Sequence, residues 1–201
     1  MSDYLTPEEA RRWTGLSDTA DQTGDLEETI TAVSAMIDAY CQRNFGQSES
    51  GARQFAASNT TLLRLGPFND LVSVSAVKTD TTGDGTFDTT ITDYVLEPHN
   101  TAGPETRPYT ALRRVDGSWP AATVANARQA RIEVTGVWGW PSVPAAVKGA
   151  CRIQVARVFK RTDSPLGVVG FGEYGSIRIS SRLDPDVQQM LDPYRILTGI
   201  A

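Results

Sequence analysis

Asp25-Leu-Glu-Glu-Thr-Ile-Thr-Ala-Val-Ser-Ala-Met-Ile-Asp-Ala-Tyr-Cys-Gln-Arg-Asn-Phe45 is the stretch whose reading decides the fold. Asp25-Leu26-Glu27-Glu28 places acidic groups where a helix dipole favours them, at a helix start. Leu26, Ile30, Val33, Ile37 and Tyr40 then recur at spacings of four and three, which predicts one apolar stripe on a helix over 25–45. Ala32, Ala35 and Ala39 beside the stripe suit a close helix approach. A stripe of this kind needs a partner, and none lies next to it. The matching period returns only after Pro144, with Val147, Cys151, Val155 and Val158 flanked by Ala150 and Phe159. Lys160 and Arg161 close that helix, over 144–161, in the turn where cations complement the dipole. The two stripes must pack on each other, so whatever lies between them is an insertion.

Two shorter helices complete the helical part. Thr6-Pro7-Glu8-Glu9 is a capping box that starts a helix over 7–15, with Gly15 as its stop. Asp184-Pro185-Asp186 caps a last helix over 184–192, before Asp192-Pro193.

The insertion has a different character. Thr61–Leu65, Leu71–Lys78, Phe87–Thr92, Tyr94–Leu96, Tyr109–Val115 and Arg131–Trp138 read as short strands between turn residues. Asp84-Gly85 is a tight-turn signal, and Pro98 to Pro108 is a loop. Ala121 to Arg128 reads equally as a helical turn or a loop. The expected fold is α+β: a discontinuous α-helical bundle from 1–50 and 141–201, holding an inserted, mainly antiparallel β module over 51–140.

Between the third and last helices runs a flexible arm over 164–182. Its centre is Pro165-Leu-Gly-Val-Val-Gly-Phe-Gly-Glu-Tyr-Gly175, four glycines alternating with apolar side chains. A solvated linker would be more polar, and a core strand would hold less glycine. The composition suits an extended segment ordered by another surface, which points to assembly. Ser176–Arg182 continues with strand-like alternation of Ile177 and Ile179.

The totals exclude several function classes. A net charge of −5 gives no basic excess for a nucleic-acid binder. The opening residues lack the cationic start and apolar run of a signal peptide, and no apolar run spans a membrane. A soluble protein made in the cytoplasm is expected, with Cys41 and Cys151 as buried free thiols. His99 is the single histidine, in a proline-flanked loop, so neither zinc nor a Cys–His nucleophile is assembled. Asp80, Asp84 and Asp88 fail as a calcium loop because Ile91 stands where the bidentate glutamate belongs; a hairpin turn is expected. Gly167-Val-Val-Gly-Phe-Gly has the dinucleotide glycine spacing only in reverse, after a helix instead of a strand. No catalytic, cofactor-binding or metal-ligating residue is assigned, and no enzyme is expected. The basic clusters Arg113-Arg114, Lys160-Arg161 and Arg178 with Arg182 read as solvated faces or subunit salt bridges. Trp138-Gly-Trp140 reads first as packing at the junction with the following helix. The alternative is a glycan platform formed by Trp119, Trp138 and Trp140.

The order of these segments resembles one family. Leu5-Thr-Pro-Glu-Glu-Ala-Arg-Arg-Trp-Thr-Gly-Leu, followed by the phrase from Tyr40 to Phe45, is similar to the opening of head–tail connector (adaptor) proteins of long-tailed bacteriophages. Val143-Pro-Ala-Ala-Val-Lys, Gly175-Ser-Ile-Arg-Ile, Leu183-Asp-Pro-Asp-Val and Leu191-Asp-Pro-Tyr-Arg are similar to its C-terminal half. The β module resembles versions from phages of actinobacteria. The resemblance implies a structural virion protein at the head–tail junction, assembled in the host cytoplasm. It would form a homo-oligomeric ring of about twelve copies under the portal protein. That ring would extend the DNA channel without binding DNA specifically, and receive the next neck or tail-completion protein. No membrane or cofactor is involved. The subunit and partner interface it implies comprises Leu166, Val168, Val169, Phe171, Tyr174, Ile177 and Ile179 in the arm, with Leu191, Tyr194, Ile196 and Leu197 in the tail. Other neck proteins, a stopper or a tail terminator, are the alternatives within this class.

Overall fold

A computed structural model of the chain describes residues 3–14, 20–57, 61–99, 106–120, 131–162, 168–170, 176–178 and 183–196. Two compact units emerge: Met1–Phe45 with Val143–Ala201, and Gly46–Ser142. The fold is α+β, with four α-helices and antiparallel sheets among the described residues.

In the helical unit, α1 (Pro7–Thr14), α2 (Ala20–Cys41), α3 (Ala145–Thr162) and α4 (Pro185–Leu191) surround one core. The Thr6 amide donates to Glu9 Oε2 at 3.1 Å and the Glu9 amide to Thr6 Oγ1 at 3.2 Å, the reciprocal pair of a capping box. Leu26, Ile30, Val33, Ile37 and Cys41 of α2 are buried, as are Val147, Ala150, Cys151, Val155 and Phe159 of α3. Full burial of each such large apolar side chain contributes about 1.5–3 kcal/mol. The last residue of the α2 stripe is Cys41 rather than Tyr40, and Ala32 and Ala39 face solvent instead of a neighbouring helix. At 100° per residue, the step of four from Ile37 to Cys41 keeps the buried face, and the step of three to Tyr40 drifts off it.

The bounds of α2 also differ from the expected 25–45. It begins at Ala20, because Asp25 lies inside it, its carbonyl accepting from the Thr29 hydroxyl at 2.8 Å. Arg11 donates to the Thr23 hydroxyl and ties this first stretch to α1. Ala20 to Gly24 carry no apolar stripe, so periodicity gave no sign of them. The helix stops at Cys41 because Gln42 turns left-handed at φ 55°, and the Arg43 amide reaches back to the Asp38 carbonyl at 3.2 Å.

The β unit holds a four-stranded antiparallel sheet in the order β1 (Ser50–Phe55), β7 (Ile132–Trp138), β3 (Leu71–Thr79), β4 (Thr89–Thr90). A three-stranded sheet, β2 (Leu62–Arg64), β6 (Ala111–Arg114), β5 (Tyr94–Glu97), joins it through the Leu71–Tyr109 bridge. Leu63, Leu65, Leu71, Val77, Leu112, Trp119, Ile132, Val134 and Trp138 form its core. Strand β1 has no counterpart among the expected strands; Ser-Gly-Ala-Arg-Gln-Phe is too polar to alternate visibly, and it lies at a sheet edge. Two register shifts bulge β3 against β7, and at Gly136, paired with Val74 between them, the backbones approach so closely that a Cβ would meet the Ser73 carbonyl oxygen at 2.1 Å. The stretches Ala121 to Arg128 and 100–105 lie outside the described residues.

Candidate functional site

The arm pairs with itself. Strands β8 (Val168–Gly170) and β9 (Ser176–Arg178) form an antiparallel pair that brings Val169 opposite Ile177, Val168 opposite Arg178 and Gly170 opposite Ser176. The expected extended arm is therefore a two-stranded ribbon along these residues. Leu166, Phe171, Tyr174, Ile179 and Leu197 lie outside the described residues.

The tail residues come together elsewhere, against α2 of their own subunit. Asp184 caps α4, its carboxylate accepting from the Asp186 amide at 2.9 Å and pairing with Arg157 of α3. The Asp184 amide donates to Gln154 Oε1 at 3.2 Å, and Gln188 Nε2 donates to the Leu183 carbonyl at 2.8 Å. Leu191 is fully buried, and buried Tyr194 meets the Phe45 ring edge-on at 5.8 Å. The Tyr40 hydroxyl donates to Asp192 at 2.7 Å, while Arg195 lies 4.5 Å over the Tyr40 ring. The Ile196 amide donates to the Cys41 carbonyl at 3.0 Å, satisfying one of the carbonyls a helix end leaves open. Leu191 and Tyr194 thus hold the tail to the helical unit.

The N-terminal segment reaches the same place. Tyr4 and Leu5 are buried, the Tyr4 amide donates to Ser34 Oγ at 3.2 Å, and the Tyr4 hydroxyl donates to Asp38. The Phe45 amide donates to the Tyr4 oxygen at 3.0 Å, and the two rings meet edge-on at 5.9 Å. Burial, opposed by the Tyr4 hydrogen bond, raises the Asp38 pKa to about 6. Burial likewise pushes the Cys41 and Cys151 thiols up to about 12, so both free cysteines are inert neutral groups.

The glycan platform is overturned by burial. Trp119 is 0% exposed, Trp138 and Trp140 2% each, so no indole face is offered to a sugar. Trp138 Nε1 donates to the Gly51 carbonyl at 2.8 Å and Trp140 Nε1 to Asp70 at 2.9 Å. Trp138 and Trp140 are thus buried with their indole N–H groups satisfied. The aspartate loop closes on itself: Asp80 accepts from the Gly83 amide at 2.5 Å, the Gly85 amide at 2.9 Å and the Thr82 hydroxyl at 3.3 Å. Burial would raise the Asp80 pKa, yet these donors outweigh it and hold the carboxyl below the ordinary range. Among the described residues no cluster of His, Cys, Asp or Glu suits a metal ion, and no helix is long and apolar enough to cross a membrane.

No known protein family matches the sequence, and no curated protein matches it. In solved structures the chain is similar to one from the virion of a native gene transfer agent (GTA) particle, with TM-score 0.57 and 16% identity over 98% of this chain and 93% of that one. It is also similar to a chain from the neck of an empty GTA particle, computed with C6 symmetry, with TM-score 0.59 and 16% identity over the same 98% and 93%. Nearly the whole chain, β unit included, therefore shares its fold with a chain of a GTA neck.

Proposed function

We propose that this chain is a structural neck protein of a phage-like particle, working by assembly and not by catalysis. The observation that carries the reading is the likeness of fold along 98% of the chain to a GTA neck chain. In its finer form, the chain is a head-to-tail connector whose ring lies under the portal, extends the DNA channel and receives the next neck or tail protein. The six-fold symmetry of the neighbour's neck suits a ring, and is satisfied by six copies or by about twelve. The arm over 164–182 grips an adjacent subunit or partner, while the C-terminal tail from Leu191 to Ala201 is directed to the portal. A net charge of −5 per chain gives a ring of about twelve a charge on the order of −60, which suits a conduit through which DNA slides.

Negative-stain images of the purified protein mixed with portal rings test this. A ring stacked on one end of the portal is the expected result; a chain that stays monomeric and unbound overturns it. Rings that join the tail tube alone would move the assignment to a tail terminator. Deleting Leu166–Tyr174 should leave a folded monomer that no longer joins the particle.

A further inference from the structure

The chain holds two Asp-Gly steps, Asp84-Gly85 and Asp116-Gly117. Such a step carries its own reaction. The glycine nitrogen can attack Cγ of the aspartate before it, because no Cβ shields that nitrogen and the glycine backbone rotates freely. An N–Cγ bond forms, the nitrogen loses its proton, the Cγ–O bond breaks, and one water leaves a five-membered succinimide. Water then opens that ring at either carbonyl. Opening at the backbone carbonyl returns the chain through Cβ as isoaspartate. One water is lost and one regained, so nothing but solvent is consumed. The rate depends on a glycine amide free of other bonds, and on a carboxyl that can turn onto it and take up a proton.

In the aspartate loop both reacting groups are held. The Gly85 amide donates to Asp80 Oδ2 at 2.9 Å, and the Thr86 amide to Asp84 Oδ1 at 2.8 Å. The Gly83 amide, bonded to Asp80 Oδ1 at 2.5 Å, fixes the chain on the other side of the step. The Thr86 bond also holds the Asp84 carboxyl below the ordinary range, so the protonated form, whose oxygen leaves as water, is scarce.

The second step has none of these restraints. The Val115 amide donates to the Asp93 carbonyl at 2.9 Å and Trp119 is fully buried, so the chain is anchored on both sides of a short turn. Between those anchors Asp116, Gly117 and Ser118 are exposed. Among the described residues no hydrogen bond engages the Gly117 amide or the Asp116 carboxylate. Gly117 stands at φ 78° with nothing within 4 Å of where a Cβ would be. Two identical dipeptides thus sit in opposite states, one bonded at both reacting groups and the other at neither.

We infer that Asp116-Gly117 is a site of self-modification, where the folded chain ages to isoaspartate, and that Asp80 shields Asp84-Gly85 from the same reaction. Freeing the Gly85 amide gives up a hydrogen bond to a carboxylate, which slows that step by about tenfold or more. The product at 116 carries an additional methylene in the main chain, in the turn that joins β6 to buried Trp119.

The test ages the full chain in warm, mildly acidic buffer and maps its peptides, separating isoaspartyl from aspartyl forms of equal mass. Isoaspartate and its succinimide precursor should accumulate at 116 about tenfold or more faster than at 84. Asp116→Ser should abolish that product and leave the slow one at 84. In urea, where neither turn persists, the two rates should converge. Equal rates in the folded chain, or a faster one at 84, overturn the inference. So does a ratio that urea leaves unchanged, since neighbouring sequence would then set it rather than the bonds at Asp80 and Asp84.

Discussion

The Tyr4 hydroxyl donates to the Asp38 carboxylate across 34 positions of sequence, and both residues are buried. Burial raises the tyrosine's pKa, and the hydrogen bond to Asp38 and its charge add to that rise, so the phenol keeps its proton and only Asp38 titrates near neutrality.

That pair gives the helical unit a pH dependence of unusual sign. The folded state keeps the Asp38 proton to about pH 6, whereas an unfolded aspartate releases it near 3.8. Between those values the folded state binds more protons, so this group's contribution is fully present below the lower value and is lost as pH rises to the upper one. Asp38→Asn stays neutral throughout. Urea unfolding at pH 4 and pH 7 should show the variant gaining about 2 kcal/mol on wild type between the two. A difference that does not change with pH would sink the assignment.

Gly139 should tolerate no side chain. Its φ is 103°, and a Cβ would fall 1.9 Å from the Gly46 carbonyl oxygen. Gly85 has a similar φ of 90° with open space around it. Gly85→Ala should therefore cost about 1 kcal/mol from backbone strain alone, and Gly139→Ala at least about 3 kcal/mol from strain plus collision. Denaturant midpoints measure both.

Tryptophan fluorescence reports the burial directly. Trp13 is 61% exposed, whereas the other three indoles are buried. Iodide should quench only a minor, red-shifted component, and Trp13→Phe should remove it. A panel of soluble glycans should leave the spectrum unchanged.

The legible parts of the chain were those where one local rule governs. The Thr6–Glu9 box and the Asp184 cap need only neighbours in sequence, and both form. The stripes of α2 and α3 needed only period except at their last residues, where Cys41 and Phe159 are buried and the expected Tyr40 and Val158 are half-buried. The extension of α2 back to Ala20 was not legible, since it depends on Arg11 reaching Thr23. Strand β1 was hidden for a related reason: its side chains are half-buried or exposed, and only its pairing with β7 makes it a strand. The tryptophans left a glycan platform open as the alternative to packing because composition cannot say which face of an indole is covered. The left-handed turn at Phe68 went unread because it is held by hydrogen bonds from Arg53 and Asn69, which residue identities do not display.

The tail should be structural as well as adhesive. Tyr194→Ala removes a buried ring from the contact with Phe45 and should cost about 3 kcal/mol. Limited proteolysis should then cut near α4 in the variant and not in wild type. Equal protection in both would show that the tail is held by other contacts.

Phe45 touches Tyr4 on one side and Tyr194 on the other. Segments from the two extremities of the sequence thus converge on one ring, immediately before the chain departs for the β unit. Topologically the helical unit is close to a circle, interrupted once to admit its insertion. Joining residues near 3 and 196 with a short linker, and reopening the circle in an exposed turn, should preserve the architecture. The connectivity of this protein is then one of several that its packing would accept.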